Sequence, residues 1–506
     1  MSPVAAAAPA RPWLFNAPLD LLVGCGAWSL PFLAFTFALQ RDPAHAAGLG
    51  LAFYALGVFC NNPHYMATLH RAYHTAGNFA QYRFFTVYVT LLLALAVVLL
   101  HLAPGLAPWV ITAYLTWSPW HYTGQNFGIA QLLIRRAGAP ADPAARNLLQ
   151  GSYVAAFLVW VAALHVARPA GDPHFISLGL PVRLADAVQL GGTVAFLGLA
   201  STAFVRLARH VPWRALSGPL LLTATQALWF VLPALATRFG GLELPASYFS
   251  AGALAFMHCA QYLWITTYYA RRESTESAAA LPGATPTASA APASAIAAAT
   301  ARPTFSFLRY YGLLVVGGIA LFIPGPWLAS RLFAHDFVES FLIFMALVNL
   351  HHFILDGAVW KLRDGRLARL LLGRRAPGDS SAEAALRVAT ATGSASSASP
   401  RHHLGWLFGS TLPARATRLA LAVLLLALAA LDQWQYAATT RAASDADLAR
   451  AATFNPSDPR PAFRRARLHT GYLPGDDLRD DVGGQQRARH GLVPVLARAA
   501  GRGLVV

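Results

Sequence analysis

Charged residues are scarce in this chain of 506 residues. They make up 12% of the sequence, whereas an ordinary globular chain is about 25% charged. Hydrophobic residues make up 56%, the mean hydropathy is +0.45, and many apolar runs of about 20 residues are each long enough to cross a bilayer. A soluble fold would need an unusually large core to bury this much apolar surface. The composition therefore predicts a membrane protein.

Cysteine is also rare, and its three positions form no CxxC pair. Cys25, Cys60 and Cys259 all fall inside apolar segments, so they report no redox compartment and are expected to pack as small buried hydrophobes. Cys259 follows His258 and is a minor candidate metal ligand. The chain has no P-loop, no HExxH zinc motif, no GxSxG nucleophile elbow and no dinucleotide fingerprint. These absences argue against the common soluble enzyme classes.

Negative charge is the scarcer sign. The chain has 39 Lys and Arg against 22 Asp and Glu, a net charge of +17. On a soluble protein this excess would indicate nucleic-acid binding. Here the arginines lie at the ends of apolar segments, where they set topology and contact anionic membrane lipid. We therefore expect membrane lipid, and no nucleic acid, as a partner.

Eleven candidate spans predict the fold class, an all-α polytopic transmembrane helical bundle. Each span should be helical, because lipid cannot satisfy open backbone groups. The glycines of GQNFG, Gly124 and Gly128, and those of GLLVVGG, Gly312 to Gly318, are expected to allow close helix packing. The spans are 18–39, 46–70, 84–103, 107–133, 148–167, 186–208, 215–237, 246–270, 309–330, 337–360 and 415–437.

The distribution of arginine predicts the orientation of these spans. If the N-terminus is cytoplasmic, most basic residues between spans fall on the cytoplasmic side, as the positive-inside rule requires. The Ala- and Arg-rich composition suggests a high-GC bacterium, so we expect a multi-pass protein of the bacterial inner membrane. On this topology the external connections hold only Arg41, Arg168, Arg183, Arg238 and Arg331.

Two Ala/Ser/Thr/Pro-rich stretches divide the chain. Their composition is typical of disorder, and both are expected on the cytoplasmic side. The predicted organisation is an eight-span block (1–272), a disordered cytoplasmic linker (273–308), a two-span hairpin that carries histidine (309–362), a second cytoplasmic linker (363–412), a final span (413–437) and an external tail (438–506).

Four spans carry histidine in the half nearest their cytoplasmic end, in FCNNPHYMATLHRAYH, WSPWHYTGQNFG, AFMHCAQYLW and NLHHFILDGAVWK. Such groups are costly inside a bilayer and usually mark a functional site, and imidazole is the commonest protein metal ligand. Counting back from the first cytoplasmic basic residue at about 1.5 Å per residue places one imidazole of each span about 10 to 21 Å deep. The four helices therefore predict a buried, His-rich metal or cofactor site that faces the cytoplasm.

Helical spacing supplies each histidine with polar neighbours. Gln125, Gln261 and Asn349 are candidate catalytic residues that would hold imidazoles or orient dioxygen, and Asp356 would either support an imidazole or bind the metal directly. Any single histidine could instead only hydrogen-bond a neighbouring helix. The candidate metal ligands are His64, His70, His74, His121, His258, His351, His352 and Asp356.

On these histidines the chain resembles the His-rich integral-membrane oxygenases, which include fatty-acid desaturases, hydroxylases and the retinal-forming carotene cleavage enzymes. The desaturase boxes read HxxxH and then HxxHH twice. Here His70 and His74 supply one HxxxH, and His351 with His352 supplies a bare HH. The resemblance implies a metal centre, most often iron and dinuclear, that binds dioxygen and oxidises a lipid-soluble substrate from the bilayer with electrons from a donor that the sequence does not identify.

Three other functions remain open from the sequence. Buried His, Asp and Gln stripes also make proton or metal-ion paths in transporters and channels. A pair of histidines on facing helices could ligate haem in an electron-transfer protein. A structural subunit would leave the histidines unexplained. The outer halves of the four spans are largely apolar, apart from Glu339 and Ser340, which favours a one-sided site over a continuous path.

Overall fold

The structure is a computed structural model that describes residues 12–40, 43–74, 76–167, 175–241, 249–279, 305–361, 365–372 and 411–470. Within these ranges the chain is helical and forms no β-strand, apart from one isolated bridge between Val166 and Leu180. The predicted all-α class is therefore confirmed.

Sixteen helices are numbered here in chain order. They are α1 (Ala17–Leu39), α2 (Pro43–Leu56), α3 (Asn62–Tyr73), α4 (Ala76–Gln81), α5 (Phe84–Leu102), α6 (Ala107–Arg136), α7 (Pro143–Leu164), α8 (Val182–Ala208), α9 (Trp213–Phe239), α10 (Ala255–Ala279), α11 (Phe307–Leu332), α12 (Phe337–Val359), α13 (Gly365–Leu372), α14 (Leu412–Arg441), α15 (Asp445–Ala451) and α16 (Arg460–Thr470).

Eight of these helices are long and apolar enough to cross a membrane, so this is a multi-pass membrane protein by helix composition. They are α1, α5, α7, α8, α9, α11, α12 and α14. The three other predicted spans, 46–70, 107–133 and 246–270, coincide with α2 and α3, with α6 and with α10. These segments are less apolar because they carry most of the polar residues that the sequence singles out.

Wide helical turns precede two of the histidine-bearing helices. Gly57–Asn61 is π-helical and leads directly into α3, and Phe249–Leu254 is π-helical and leads into α10. Such turns are rare and often lie at functional sites, because they shift the backbone hydrogen bonds of the helix. Here they lie just before His64 and His258.

Glycine packing follows the prediction in one segment only. A Cβ on Gly318 of α11 would lie 2.7 Å from the carbonyl carbon of Asn62, and one on Gly317 would lie 2.7 Å from the Met66 side chain, so α11 rests directly on α3. A Cβ on Gly124 or Gly128 of α6 would meet nothing within 4 Å. The expectation that the GQNFG glycines allow close packing is therefore wrong, since no described helix approaches α6 closely at these two positions.

Helices also occur where the sequence predicted linkers. α10 continues to Ala279, inside the predicted linker 273–308, and α13 lies inside the predicted linker 363–412. Leu367, Leu370 and Leu371 of α13 are buried against the main core, because its apolar side chains share one face. Other residues of the two predicted linkers, 280–304, 363–364 and 373–410, lie outside the described residues.

The first part of the predicted external tail is docked against the membrane helices. α14 runs to Arg441, beyond the predicted end of the final span, and α15 and α16 follow it. Arg460 makes an ion pair of 2.6 Å with buried Asp458, and its guanidinium lies over the Tyr54 ring of α2. The Tyr54 hydroxyl in turn donates a hydrogen bond to Asp432 of α14. Residues 442–470 are therefore part of the folded body, and residues 471–506 lie outside the described residues.

Candidate metal centre

Four imidazoles from four helices meet in the interior of the bundle: His64 of α3, His121 of α6, His258 of α10 and His352 of α12. The His352 ring centroid lies 4.6 Å from that of His64 and 4.8 Å from that of His121. The His258 centroid lies 5.0 Å from His121, 5.3 Å from His64 and 6.5 Å from His352. One histidine from each predicted segment thus reaches a common point.

Asp356 completes this group, which we call the histidine cluster (His64, His121, His258, His352 and Asp356). Its Oδ1 accepts hydrogen bonds from the Tyr262 hydroxyl at 2.7 Å and the Thr68 hydroxyl at 3.0 Å. Its Oδ2 lies 3.6 Å from His352 Nε2 and 3.8 Å from His121 Nε2. These gaps are too long for hydrogen bonds, but two donors bound about 2.1 Å from one ion are separated by about 3 to 4 Å.

Hydrogen bonds fix which nitrogen of two imidazoles is free. His64 Nδ1 lies 2.5 Å from the Asn61 carbonyl oxygen, which only accepts, so we assign the ring proton to Nδ1 and a lone pair to Nε2. His352 Nδ1 lies 2.8 Å from Thr68 Oγ1. Since Thr68 donates its own proton to Asp356, it accepts the proton of His352 Nδ1. A metal-binding imidazole is normally held in this way through its second nitrogen.

Four other nitrogens of the cluster lack hydrogen-bond partners among the described residues. His121 Nε2, His352 Nε2 and both ring nitrogens of His258 are buried and have no hydrogen-bond partner among the described residues. An unpaired buried polar group costs about 1 to 3 kcal/mol, and native proteins keep such groups few. Several of them at one point indicate a missing ligand. Two sets of three donor atoms lie within 4.8 Å of one another, His64 with His258 and His352, and His121 with His352 and Asp356.

Aromatic rings enclose the cluster. The Tyr65 ring centroid is 3.9 Å from that of His64, the Tyr122 centroid is 4.2 Å from His258, and the Phe353 centroid is 4.5 Å from His121. Tyr65, Tyr122 and Phe353 are themselves buried. The low dielectric of such surroundings strengthens any interaction between a cation and the Asp356 carboxylate.

Two predicted ligands, His70 and His74, lie apart from the cluster. Their ring centroids are 4.4 Å from each other, and that of His70 is 5.5 Å from Tyr310 of α11. His74 is exposed, and His70 is half-buried. His70 and His74 therefore do form a neighbouring i, i+4 pair, but they lie at the C-terminal end of α3, beyond the segment that carries His64.

His351 also points away from the cluster. Its Nε2 lies 2.9 Å from Thr90 Oγ1 of α5, so the ring joins two helices. Consecutive residues of a helix point about 100° apart, and only His352 can face the interior when His351 faces α5.

The three predicted amide residues hold the scaffold. Gln125 Nε2 donates to Gln261 Oε1 at 2.6 Å, and Gln261 Nε2 donates to the Gly24 carbonyl oxygen at 2.9 Å. Asn349 accepts from the Tyr65 hydroxyl at 2.6 Å. None of the three makes a hydrogen bond to a cluster imidazole in the described part of the chain, so they tie α1, α6 and α10 together and fix Tyr65.

Sequence reasoning missed Thr68 and Tyr262, which hold Asp356. Both lie four residues after a cluster histidine, as Gln125 and Asp356 also do. A polar residue at i+4 from each of the four histidines was a signal that could have found them. Cys259, the minor candidate ligand, lies 3.1 Å from His64 Nδ1 and donates to Asn61 Oδ1 at 3.1 Å, on the side of His64 opposite to the free nitrogen.

No family model matches this chain, and comparisons with the curated proteins and with the solved structures find no match. What the cluster does is therefore inferred from its own donors and surroundings.

Proposed function

We propose that this chain is an integral-membrane metalloenzyme whose histidine cluster binds one metal ion, iron, and oxidises a lipid-soluble substrate. The observation that carries the proposal is that the unpaired Nε2 atoms of His121 and His352 face Asp356 Oδ2, while Tyr262 and Thr68 hold Oδ1. A fixed carboxylate oxygen opposite free nitrogen lone pairs is the arrangement of a metal site with its supporting shell already in place.

The donor set favours a single iron ion. Nitrogen-rich sites with a carboxylate suit iron, copper or zinc, and the residues of the two donor sets, which share His352, would hold such an ion and let it supply dioxygen chemistry. The dinuclear centre implied by the resemblance needs further ligands. His70, His74 and His351, which would have supplied them, make their contacts elsewhere.

The topology proposed from arginine completes the description. Eleven spans with a cytoplasmic N-terminus would place the cluster in the cytoplasmic half of the bacterial inner membrane. An apolar substrate reaches such a depth from the bilayer, and electrons reach it from a donor on the cytoplasmic side. The aromatic rings around the cluster suit an apolar substrate and exclude water.

An apolar layer argues against a transporter or channel. Leu100, Ile111, Ile343 and Leu347 form one buried apolar group with Phe353, which stacks on His121. This group lies between the cluster and the outer ends of α5 and α12. A proton or metal-ion path would need polar side chains or water at this level.

The spacing of the rings argues against haem. Four imidazole centroids lie 4.6 to 6.5 Å from one another, with Tyr65, Tyr262 and Phe353 packed against them. A porphyrin needs an open slot between its two axial histidines, and a group packed this tightly offers none.

The test is oxidation by the purified, iron-loaded protein. The full chain in lipid nanodiscs, supplied with Fe²⁺, ascorbate and dioxygen, is incubated with a total lipid extract of the expression host, and products are followed by mass spectrometry. We expect the gain of one oxygen atom or the loss of two hydrogens in a lipid with wild type and with His351→Ala, and neither with His258→Ala. The full chain is also reconstituted in closed lipid vesicles. Uptake of Fe²⁺ into these vesicles, with no lipid product in the nanodisc reaction, would overturn the proposal in favour of transport.

A further inference from the structure

A buried arginine stands beside the site at the cytoplasmic end of α3. Arg71 is 6% exposed, and its guanidinium carbon lies 3.8 Å from the Trp360 ring centroid and 4.3 Å from that of Tyr269. Its Nη2 donates to the Val359 carbonyl oxygen at 2.5 Å. A buried cation is costly unless it is compensated, so this placement calls for a role beyond topology.

A chain of contacts leads from Arg71 to the proposed metal site. Trp360, which stacks on the guanidinium, donates from Nε1 to the Tyr262 hydroxyl at 3.0 Å. Tyr262 donates that hydroxyl proton to Asp356 Oδ1 at 2.7 Å. Arg71 also attracts the Asp356 carboxylate electrostatically. Three contacts thus join the end of α3 to the carboxylate of the cluster.

We propose that Arg71 is a positioning residue for the metal ligand Asp356. By stacking on Trp360, Arg71 fixes the position of the indole N–H, and this N–H in turn fixes the Tyr262 hydroxyl. Tyr262 then holds Oδ1 of Asp356, so that Oδ2 faces the imidazoles. The positive charge of Arg71 also offsets the cost of keeping this carboxylate ionised in the interior. The inference rests on the proposed metal site, whose affinity for the ion it explains.

Lysine would not substitute for this arginine. A guanidinium is planar, stacks on aromatic faces and donates from a rigid fork, whereas an ammonium is a compact and strongly hydrated charge. At this position Arg71 stacks against two rings and donates to a carbonyl at the same time. Charge alone would therefore restore only part of its effect.

The experiment measures Co²⁺ binding to the full chain in detergent, by the visible absorption that reports the ligands of the ion. We expect Arg71→Gln and Trp360→Phe each to weaken binding by about 10- to 100-fold, as loss of support behind a metal ligand does, and to shift the absorption bands. Arg71→Lys should fall between wild type and Arg71→Gln. Trp360→Phe keeps an aromatic ring for stacking and removes only the N–H, so it tests the chain even if Arg71→Gln fails to fold.

Two matched controls separate this role from general stability. Arg136→Gln removes another arginine at the cytoplasmic end of a helix, one that donates to the Leu371 and Trp13 carbonyl oxygens. Trp229→Phe removes a buried indole N–H that donates to Ser29. Both should bind Co²⁺ as wild type does. Unchanged Co²⁺ affinity and spectrum in Arg71→Gln and Trp360→Phe, with binding lost in His352→Ala, would overturn the positioning role of Arg71 and leave the proposed metal site in place. No Co²⁺ binding by wild type would remove the metal site itself.

Discussion

Asp356 is the residue that gives the cluster its direction. Imidazoles alone could remain neutral and hydrogen-bonded. Because Thr68 and Tyr262 hold Oδ1 of Asp356, its Oδ2 faces the histidines and is free to bind a cation between them. Thr68 has a double role, because it also accepts from His352 Nδ1. One hydroxyl therefore orients two proposed ligands.

Removal of the Thr68 hydroxyl should weaken the site without a change of shape. We predict that Thr68→Val, which is nearly isosteric, lowers metal affinity by about 10- to 100-fold, because Asp356 and His352 both lose a support. Thr266→Val is the control, since Thr266 is also buried, but its hydroxyl bonds backbone carbonyl oxygens of α10 and the Tyr310 side chain, none of which belongs to the histidine cluster. Titration of the purified variants with Co²⁺ checks this. Equal losses in both variants would mean that the effect is general destabilisation.

Residue by residue, the sequence could predict depth but not direction. The positions of His64, His121 and His258 along their helices were enough to place them within a common slab, about 10 to 21 Å deep, because rise per residue is fixed. The choice between His351 and His352 depends on how α12 is rotated against α3 and α5, and that rotation is set by packing across the bundle. The spacing of residues along α12 does not determine this rotation.

At the scale of the helices, the contact between α3 and α11 positions the site. Gly318 lets the α11 backbone approach Asn62, two residues before His64. A side chain there would meet backbone atoms, which cannot move aside as a flexible side chain could. The close approach therefore depends on glycine.

A methyl group at Gly318 should separate the two helices. We predict that Gly318→Ala destabilises the protein by about 1 to 3 kcal/mol, the usual cost of overpacking, and also lowers metal affinity. Gly312→Ala on the same helix, where a Cβ meets nothing within 4 Å, should be neutral or more stable by about 0.5 to 1 kcal/mol, since alanine favours the helix. Thermal unfolding in detergent checks both. A stable Gly318→Ala variant would show that α11 can shift without cost.

A second set of contacts connects the C-terminal end of α5 to the N-terminal end of α12 through His335. His335 lies 2.9 Å through Nδ1 from the Glu339 carboxylate and 2.7 Å through Nε2 from the His101 carbonyl oxygen. Burial alone would lower the pKa of His335, but these hydrogen bonds and the nearby carboxylates of Glu339 and Asp336 raise that pKa above its ordinary value. The folded protein thus favours the protonated ring.

The hydrogen bonds of His335 should stabilise the folded protein at acidic pH. Because the pKa is higher in the folded than in the unfolded state, the contribution is complete below the unfolded value of about 6.5 and is lost as pH rises through the folded value. We predict that the difference in melting temperature between wild type and His335→Gln is largest near about pH 5.5 and small near about pH 9. A difference that grows with pH would contradict this assignment.

At the scale of the whole molecule, apolar residues lie on one side of the histidine cluster. Ile343, Leu347 and their apolar neighbours lie between the cluster and the N-terminal end of α12, and residues 442–470 pack against α2 and α14 through Arg460. The sequence predicted the bundle well, since span length and apolarity are local properties. It missed the docking of the tail, because Tyr54 and Arg460 are some 400 positions apart and meet only in the folded chain.

The orientation predicted from arginine can be tested by labelling. With the three native cysteines replaced by serine, Leu178→Cys would lie in an exposed connection that is predicted to be external, and His210→Cys in an exposed connection that is predicted to be cytoplasmic. An impermeant maleimide should label Leu178→Cys in intact cells and His210→Cys only after permeabilisation, because the basic connections stay inside. The opposite labelling pattern would show that the topology is the reverse of the predicted one, with the cluster in the external half of the membrane.

The most direct test of the central claim is the metal content of the purified full chain, measured for wild type, His352→Ala and His351→Ala after growth with added iron. The two variants remove adjacent histidines of the same helix, one inside the cluster and one bound to Thr90. We predict one iron per chain in wild type and in His351→Ala, and almost none in His352→Ala. Equal metal content in all three proteins would show that the four imidazoles and Asp356 do not hold an ion.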